Sequence, residues 1–362
     1  MGVEMTPRDI ARQRLRNQRL VGTPCETPAA AVQWLCAVQA QDYAGAKWAV
    51  AQRTTGATNA ALDRVFDDGT ILRTHVMRPT WHFVTPADIR WLLALTAPRV
   101  HAANASYYRR LELDDTVFAR SNALIARALQ GGSQLTRAEL ARALDDGGIA
   151  ASGQRLAYLL MRAELDAVIG SGARRGKQFT YALLDERVPA TRGVPRDEAL
   201  AMLTRRYFAS HGPATLQDYA WWSGLAASDV RAGVAMAAPH LAHERVGDRT
   251  YWFTTPMPTA CVPNPTVHLL PNYDEHLVAY RDHRASFDAS VLKDMDPRNT
   301  ALIDASIVLN GHVVGGWRRT VGKNAVAIET NLFAPLDRTA LAAVAGAAEG
   351  YGRFMGMPVT LR

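Results

Sequence analysis

One order of elements, helix, helix, helix, hairpin, is written twice into this chain, and it narrows the available folds more than any other feature. In the first copy, over residues 121–189, Leu124, Ile125, Ala128 and Leu129 fall on one helical face that Gly131-Gly132 ends. Thr136-Arg137-Ala138-Glu139 is a capping box for a second helix through Leu144, since a Thr hydroxyl and a Glu carboxylate three residues on satisfy each other's backbone N–H groups. Ser152 caps a third, carrying Leu156, Leu159, Leu160 and Ala163. Two β-like runs, 167–170 and 178–184, flank the basic stretch 171–177, with Phe179, Tyr181 and Leu183 alternating on one face. This is the order of a winged helix with a basic tip on its wing.

The second copy spans 196–255. Leu200, Leu203, Tyr207 and Phe208 mark a helix ended by Gly212-Pro213, Thr215 opens another holding Trp221 and Trp222, and Ser228 caps a third. Residues 243–246 then pair with 250–253 across Gly247-Asp248. The copies share an order and not a sequence, so this is no solenoid repeat. The N-terminal third reads in the same way. Thr6-Pro7 and Thr27-Pro28 open helices, Asn59–Asp67 supplies another, and 71–85 alternates like a hairpin broken at Arg78-Pro79. Thr85-Pro86 starts helices running towards Arg110. Beyond Thr255, short strands at Val267–Leu270, Ser306–Leu309, 313–317 and 325–329, with one helix over 336–351, describe a small, mostly β domain. The expected segments are therefore 1–120, 121–195 and 196–255, each a winged-helix motif, and 256–362.

The net charge of +7 is unevenly placed. Residues 1–130 hold 16 Lys+Arg against 11 Asp+Glu and 131–195 hold 9 against 7, while the remainder carries 16 of each. A basic half is the footprint of a polyanion surface, and nucleic acid is the commonest partner for one. Charge alone does not decide it, because 37 of the 41 basic residues are Arg, a skew that a GC-rich genome produces unaided. The chain is 48% hydrophobic and 21% charged, an ordinary globular composition, and its length suits two to four compact units. No apolar run reaches about 18 residues, which excludes a membrane helix. The arginine-rich N-terminal helix lacks the apolar centre of a signal peptide, so the expected location is the cytosol. Cys25, Cys36 and Cys261 have no spacing for a disulfide framework or a zinc site and read as idle thiols.

No phosphate-binding glycine loop, HExxH, nucleophile elbow or paired metal-ligand cluster occurs, so neither cofactor nor metal is expected. His75 and His101, taken singly, read as structural or surface residues. Trp221-Trp222, at helical spacing with Tyr219, reads as core rather than a base-stacking platform. Two stretches stand out. In Leu35-Cys36-Ala37-Val38-Gln39-Ala40-Gln41-Asp42-Tyr43 an apolar helix runs into alternating amides and a carboxylate. Extended backbone puts Gln39 and Gln41 on one side, where paired amides can hold a water or a sugar edge. The plainer reading of the residues alone is a helix C-terminus whose glutamines cap backbone carbonyls. Asp42 points away from the amides if the strand continues, and ranks second. In Arg73-Thr74-His75-Val76-Met77-Arg78-Pro79-Thr80-Trp81-His82 a hairpin puts Arg73 and His75 on one face, either to meet a partner or as a solvated strand surface.

In order along the chain, Val38-Gln39-Ala40-Gln41-Asp42, the run from Arg73 to His82, the wing Gly172-Ala173-Arg174-Arg175-Gly176-Lys177-Gln178-Phe179-Thr180-Tyr181, and His268-Leu269-Leu270-Pro271-Asn272-Tyr273-Asp274-Glu275 resemble the AlkZ/YcaQ family of winged-helix DNA glycosylases. The resemblance implies an α+β chain of three tandem winged-helix motifs followed by a small C-terminal β-barrel-like domain, with a concave basic surface. It implies a monofunctional, monomeric enzyme that removes alkylated purines from double-stranded DNA: N7-alkylguanine, N3-alkyladenine, bulky adducts or interstrand crosslinks. The family's motif is Gln, an apolar residue, then Gln or Asp. Gln39, Ala40 and Gln41 match the Gln form of the AlkZ branch, so Gln39 and Gln41 are the implied catalytic residues and Asp42 the alternative. Arg73, His75, Arg78, Arg174, Arg175, Lys177 and Gln178 are the expected DNA contacts. A regulator reading bases with the helix at 152–165, or an adduct binder without chemistry, would use the same elements. Three such units without coiled-coil heptads suit a clamp around one lesion better than a regulator.

Overall fold

The computed structural model describes residues 5–190, 192–255, 264–288, 291 and 305–362; Cys261 lies outside them. Helix starts follow N-cap chemistry. Thr6 and Asp9 close a capping box on α1 (Pro7–Asn17), and the Thr27 hydroxyl accepts the Ala30 N–H at the head of α2 (Pro28–Leu35). Both helices have proline in the first turn, where a missing N–H costs nothing. Cys36, with a left-handed φ of 71°, turns the chain into β1 (Val38–Gln39). Asp42 caps α3 (Tyr43–Ala51), and α4 (Asn59–Asp67) follows as expected. β2 (Leu72–Val76) and β3 (Arg78–Val84) pair antiparallel. Their bend is Met77, at φ 63°, so Arg78-Pro79, expected at the break, already belong to β3. α5 (Pro86–Arg110) is a single helix of 25 residues with Pro98 inside it.

The helix, helix, helix, hairpin order then appears as α6 (Asp115–Leu129), β4 (Leu135–Thr136), α7 (Arg137–Asp146), α8 (Gly153–Leu165), β5 (Ile169–Ser171) and β6 (Thr180–Leu183), closed by the single turn α9 (Leu184–Arg187). Thr136 and Glu139 form the expected capping box, whereas Ser152 holds the N-cap position of α8 with no side-chain bond to it. The order returns in α10 (Arg196–His211), α11 (Leu216–Ser223), α12 (Ala227–Ala237), β7 (Leu241–Val246) and β8 (Arg249–Thr254). Gly247, at φ 59°, makes the tight turn between the last two strands. After them come β9 (Val267–Leu270), α13 (Glu275–Val278), β10 (Ser306–Leu309), β11 (His312–Val321), β12 (Val326–Leu332), α14 (Arg338–Met355) and β13 (Val359–Leu361).

These elements pack as two compact units, one of residues 1–62, 201–222 and 227–362, the other of 63–200 and 223–226. The core of the second joins Phe118, Ile125 and Leu129 of α6, Leu140 and Leu144 of α7, Leu156, Leu159 and Leu160 of α8, and Ile169 of β5. Each helix thus buries one i, i+3, i+4 stripe. The first unit carries a five-stranded sheet in the order β13-β12-β11-β10-β9. Among the described residues this sheet has β13 and β9 at its edges, a curled half-barrel in keeping with the expected barrel-like domain, and α14 packs against both edge strands. Leu15, Leu20, Leu270, Leu277, Phe287, Val308 and Val313 form a core cluster there. No helix among the described residues is long and apolar enough to cross a membrane.

Candidate functional site

Gln39 ends a strand of only two residues, and its backbone is held by a residue far along the chain. The Gln39 N–H donates to Glu275 Oε1 at 2.8 Å. The Trp222 indole N–H donates to Glu275 Oε2 at 2.9 Å, and His211 Nε2 lies 3.5 Å from the same oxygen. Glu275, Trp222 and His211 are fully buried, and Gln39 is 6% exposed. A buried carboxylate is tolerated only when its oxygens are hydrogen-bonded, and here each oxygen meets an N–H. Burial holds the His211 pKa below its ordinary value against the pull of Glu275, and Tyr207 stacks on the ring at 5.0 Å.

The neighbouring Asp274 takes a two-pronged contact from Arg53, at 2.8 and 2.9 Å, with both side chains buried. Arg53 also donates to the carbonyl and to Oε1 of Gln18, each at 3.0 Å. Burial pushes the Asp274 pKa up, but the Arg53 charge and hydrogen bonds outweigh it and hold the carboxyl below the usual range.

Gln41, two residues beyond Gln39, is exposed. The strand does not continue through Asp42. That residue accepts the Gly45 N–H at 3.1 Å as the cap of α3, and its carboxylate lies 3.8 Å from the Arg319 guanidinium. Neither glutamine stands at a helix C-terminus, since α2 ends at Leu35. A fixed backbone carrying one buried and one exposed glutamine can orient a small polar molecule.

Two histidines in the same segment of chain bear on acid stability. Burial holds His268 down to about 4 and His276 down to about 3. Both titrate near 6.5 when unfolded. Between about pH 6.5 and 4 the unfolded chain therefore binds protons that the folded one does not, and stability falls as pH falls. At pH 5.5 each histidine should cost about 1.2 kcal/mol relative to pH 7. Chemical denaturation at the two pH values tests this, and an unchanged unfolding free energy would contradict it.

In the second unit the wing is a tight hairpin. Arg175 and Gln178 exchange backbone hydrogen bonds of 2.9 and 3.1 Å around Gly176-Lys177. Lys177 and Gln178 are exposed. The two arginines are paired: half-buried Arg174 with Asp63 at 3.1 Å, and Arg175, which is exposed, with Glu139 at 2.8 Å. Backbone and side-chain hydrogen bonds from Thr136, with the Arg175 contact, hold Glu139 down to about 2. Arg73 and His75 do share a face, both lying on Trp81. The Arg73 guanidinium is 4.3 Å from that ring centroid, and the His75 ring 4.4 Å. His75 is nevertheless buried, with Nδ1 against the Glu164 carboxylate, so it braces the hairpin from inside and presents no surface. Arg78 is half-buried on β3.

Sequence reasoning missed Glu275, Trp222 and His211 as companions of Gln39. A signal for Glu275 was present, since Asp274-Glu275 is an acidic pair set between apolar runs, and buried acids need partners. Trp221, expected in the core with Trp222, is 48% exposed, its indole N–H donating to the Val278 carbonyl at 3.0 Å.

The profile of the AlkZ-like DNA glycosylases matches residues 32–354. The chain is 26% identical over 317 residues to the interstrand DNA cross-link repair glycosylase of Streptomyces sahachiroi, covering 83% of this chain and 85% of that protein. The solved structure of Streptomyces sahachiroi DNA glycosylase AlkZ has the same fold, with a TM-score of 0.80 at 22% identity, covering 99% of this chain and 100% of that one.

Proposed function

Because this chain belongs to the AlkZ-like DNA glycosylase family, we propose that it hydrolyses the N-glycosidic bond of alkylated purines in double-stranded DNA. The observation that carries the reading is the family match over residues 32–354, a span that contains Gln39 and Gln41. Alkylation at N7 of guanine or N3 of adenine makes the base cationic. When the C1′–N bond breaks, its electron pair goes to the base, which leaves neutral and needs no strong general acid. A water oxygen bonds to C1′, its proton passes to solvent, and an abasic deoxyribose remains. The protein has to orient that water and stabilise an oxocarbenium-like sugar. In this reading the Gln39 and Gln41 amides hold the water, while Asp42, occupied as a helix cap, is the lesser candidate. Incubation with duplex containing N7-methylguanine should yield free base, and uracil should stay in place. Efficient uracil release would overturn the mechanism, since uracil is not a cationic leaving group. The Streptomyces sahachiroi relative is named for interstrand DNA cross-link repair, and we extend the proposal to unhooking such crosslinks, read on a denaturing gel.

The recurring helix, helix, helix, hairpin order supports three winged-helix motifs over 1–120, 121–195 and 196–255, with the β-rich segment 256–362 completing a monomer. Lys177 and Gln178 at the wing tip, with Arg73, Arg78, Arg174 and Arg175, then serve the phosphates. Lys177→Glu should weaken binding to every duplex alike and reduce the slope of log affinity against log salt by about one. The melting temperature should hold, because the Lys177 side chain stands in solvent. Arg175→Glu would face Glu139 and lose stability as well. Strong preference for one undamaged sequence would mark a regulator instead.

A further inference from the structure

We propose that Glu275 is a positioning residue for Gln39, acting through the backbone of the catalytic motif; this rests on the glycosylase reading above. Glu275 Oε1 accepts the Gln39 N–H at 2.8 Å and Oε2 accepts the Trp222 indole N–H at 2.9 Å, all three residues being buried. The glutamate is itself held from behind. Its carbonyl accepts the Gln18 side-chain N–H at 3.2 Å, and Gln18 is tied through Arg53 to Asp274. Each oxygen of the carboxylate accepts an N–H, so a side chain that accepts on both oxygens is required, and among the amino acids only an ionised carboxylate does so. A two-residue strand has few ladder bonds of its own, so one buried hydrogen bond has large leverage over where the Gln39 amide points. Displacing a positioning group by a fraction of an ångström slows a reaction without weakening substrate binding.

The chemistry sets an unusual test. Glu275→Gln keeps the shape but turns one oxygen into an NH2 group, which must face either the Gln39 N–H or the Trp222 N–H. Trp222→Phe removes one of those donors. In the double variant the remaining oxygen can return to Gln39, while the new NH2 meets phenylalanine and the neutral His211 ring. Single-turnover release of N7-methylguanine should fall about tenfold or more in Glu275→Gln with affinity for the same duplex unchanged. Trp222→Phe alone should stay within about threefold of wild type, and the double variant should recover most of the lost rate. Amide exchange at Gln39 should be slow in wild type, faster in Glu275→Gln and slow again in the double variant.

A merely structural glutamate predicts lower melting temperatures in all variants and no recovery. Wild-type rate in Glu275→Gln, or a folded double variant no faster than that single, overturns the proposal. If Glu275→Gln does not fold, a folded double variant decides by itself: near wild-type rate supports the clamp and a slow one refutes it. Should neither fold, Trp222→Phe decides: the stated rate with slow Gln39 exchange supports the clamp, and loss of either refutes it. If wild-type protein releases no base, the glycosylase reading fails, and Gln39 exchange across the same variants still reports on the clamp.

Discussion

Replacing Arg53 with methionine is expected to destabilise the protein by about 3–5 kcal/mol, the usual cost of leaving one member of a buried ion pair without its counter-charge. Arg53 is 1% exposed and Asp274 fully buried. The guanidinium uses every donor it has. Nε goes to the Gln18 carbonyl, Nη1 to the Ala49 carbonyl and Asp274, and Nη2 to Gln18 Oε1 and Asp274. Lysine keeps the charge but offers three donors from a single point, so Arg53→Lys should lose most of the same stability. Asp274→Leu combined with Arg53→Met should be less damaging than the two single changes added together, because the pair leaves as a unit. Urea denaturation of the four proteins measures this. A loss below about 1 kcal/mol in Arg53→Met would show that water or another residue replaces the pair.

Gln39→Ala and Gln41→Ala should each slow base release by about tenfold to a thousandfold, or about 1.4–4 kcal/mol, while affinity for damaged duplex stays nearly intact. The double mutant should lose less than the product of the single losses, since two groups holding one water act together. Gln41 makes the cleaner test. It is exposed while Gln39 is buried, so Gln41→Ala should lose less stability than Gln39→Ala. Gln41→Asp should keep substantial activity, because the motif that these residues resemble takes Gln or Asp at that place. Asp42→Asn should be the mildest change of all, since asparagine caps a helix as well as aspartate does. Single-turnover rates beside thermal melts check these expectations, and a fully active Gln41→Ala would move the site elsewhere.

Local chemistry was legible in the sequence and distant chemistry was not. The Thr136 and Glu139 capping box, the helix Asn59–Asp67 and the turn at Gly247-Asp248 were found because each is decided within a few residues. The short elements α13 and β13 were missed, being too brief for any period to show. Asp42 was misplaced because alternation over Gln39, Ala40 and Gln41 continues into it, although an aspartate three residues before a glycine N–H serves equally as a cap. The ion pairs of the wing arginines were not legible because the acids that pair with them lie far off, Asp63 at a separation of 111 and Glu139 at 36. Gln39 was singled out from its neighbours, but the residue that fixes its backbone lies in another part of the chain.

That separation, 236 positions between Gln39 and Glu275, sets an order of assembly. A ribosome delivers the chain from its N-terminus, so Gln39 emerges long before the carboxylate that fixes it. Residues 63–200 meanwhile form a nearly continuous unit with its own core, able to close while synthesis proceeds. The wing segment is thus complete in the nascent chain well before the glutamine segment can be, and a chain stalled before Glu275 leaves the Gln39 N–H without the carboxylate that accepts it.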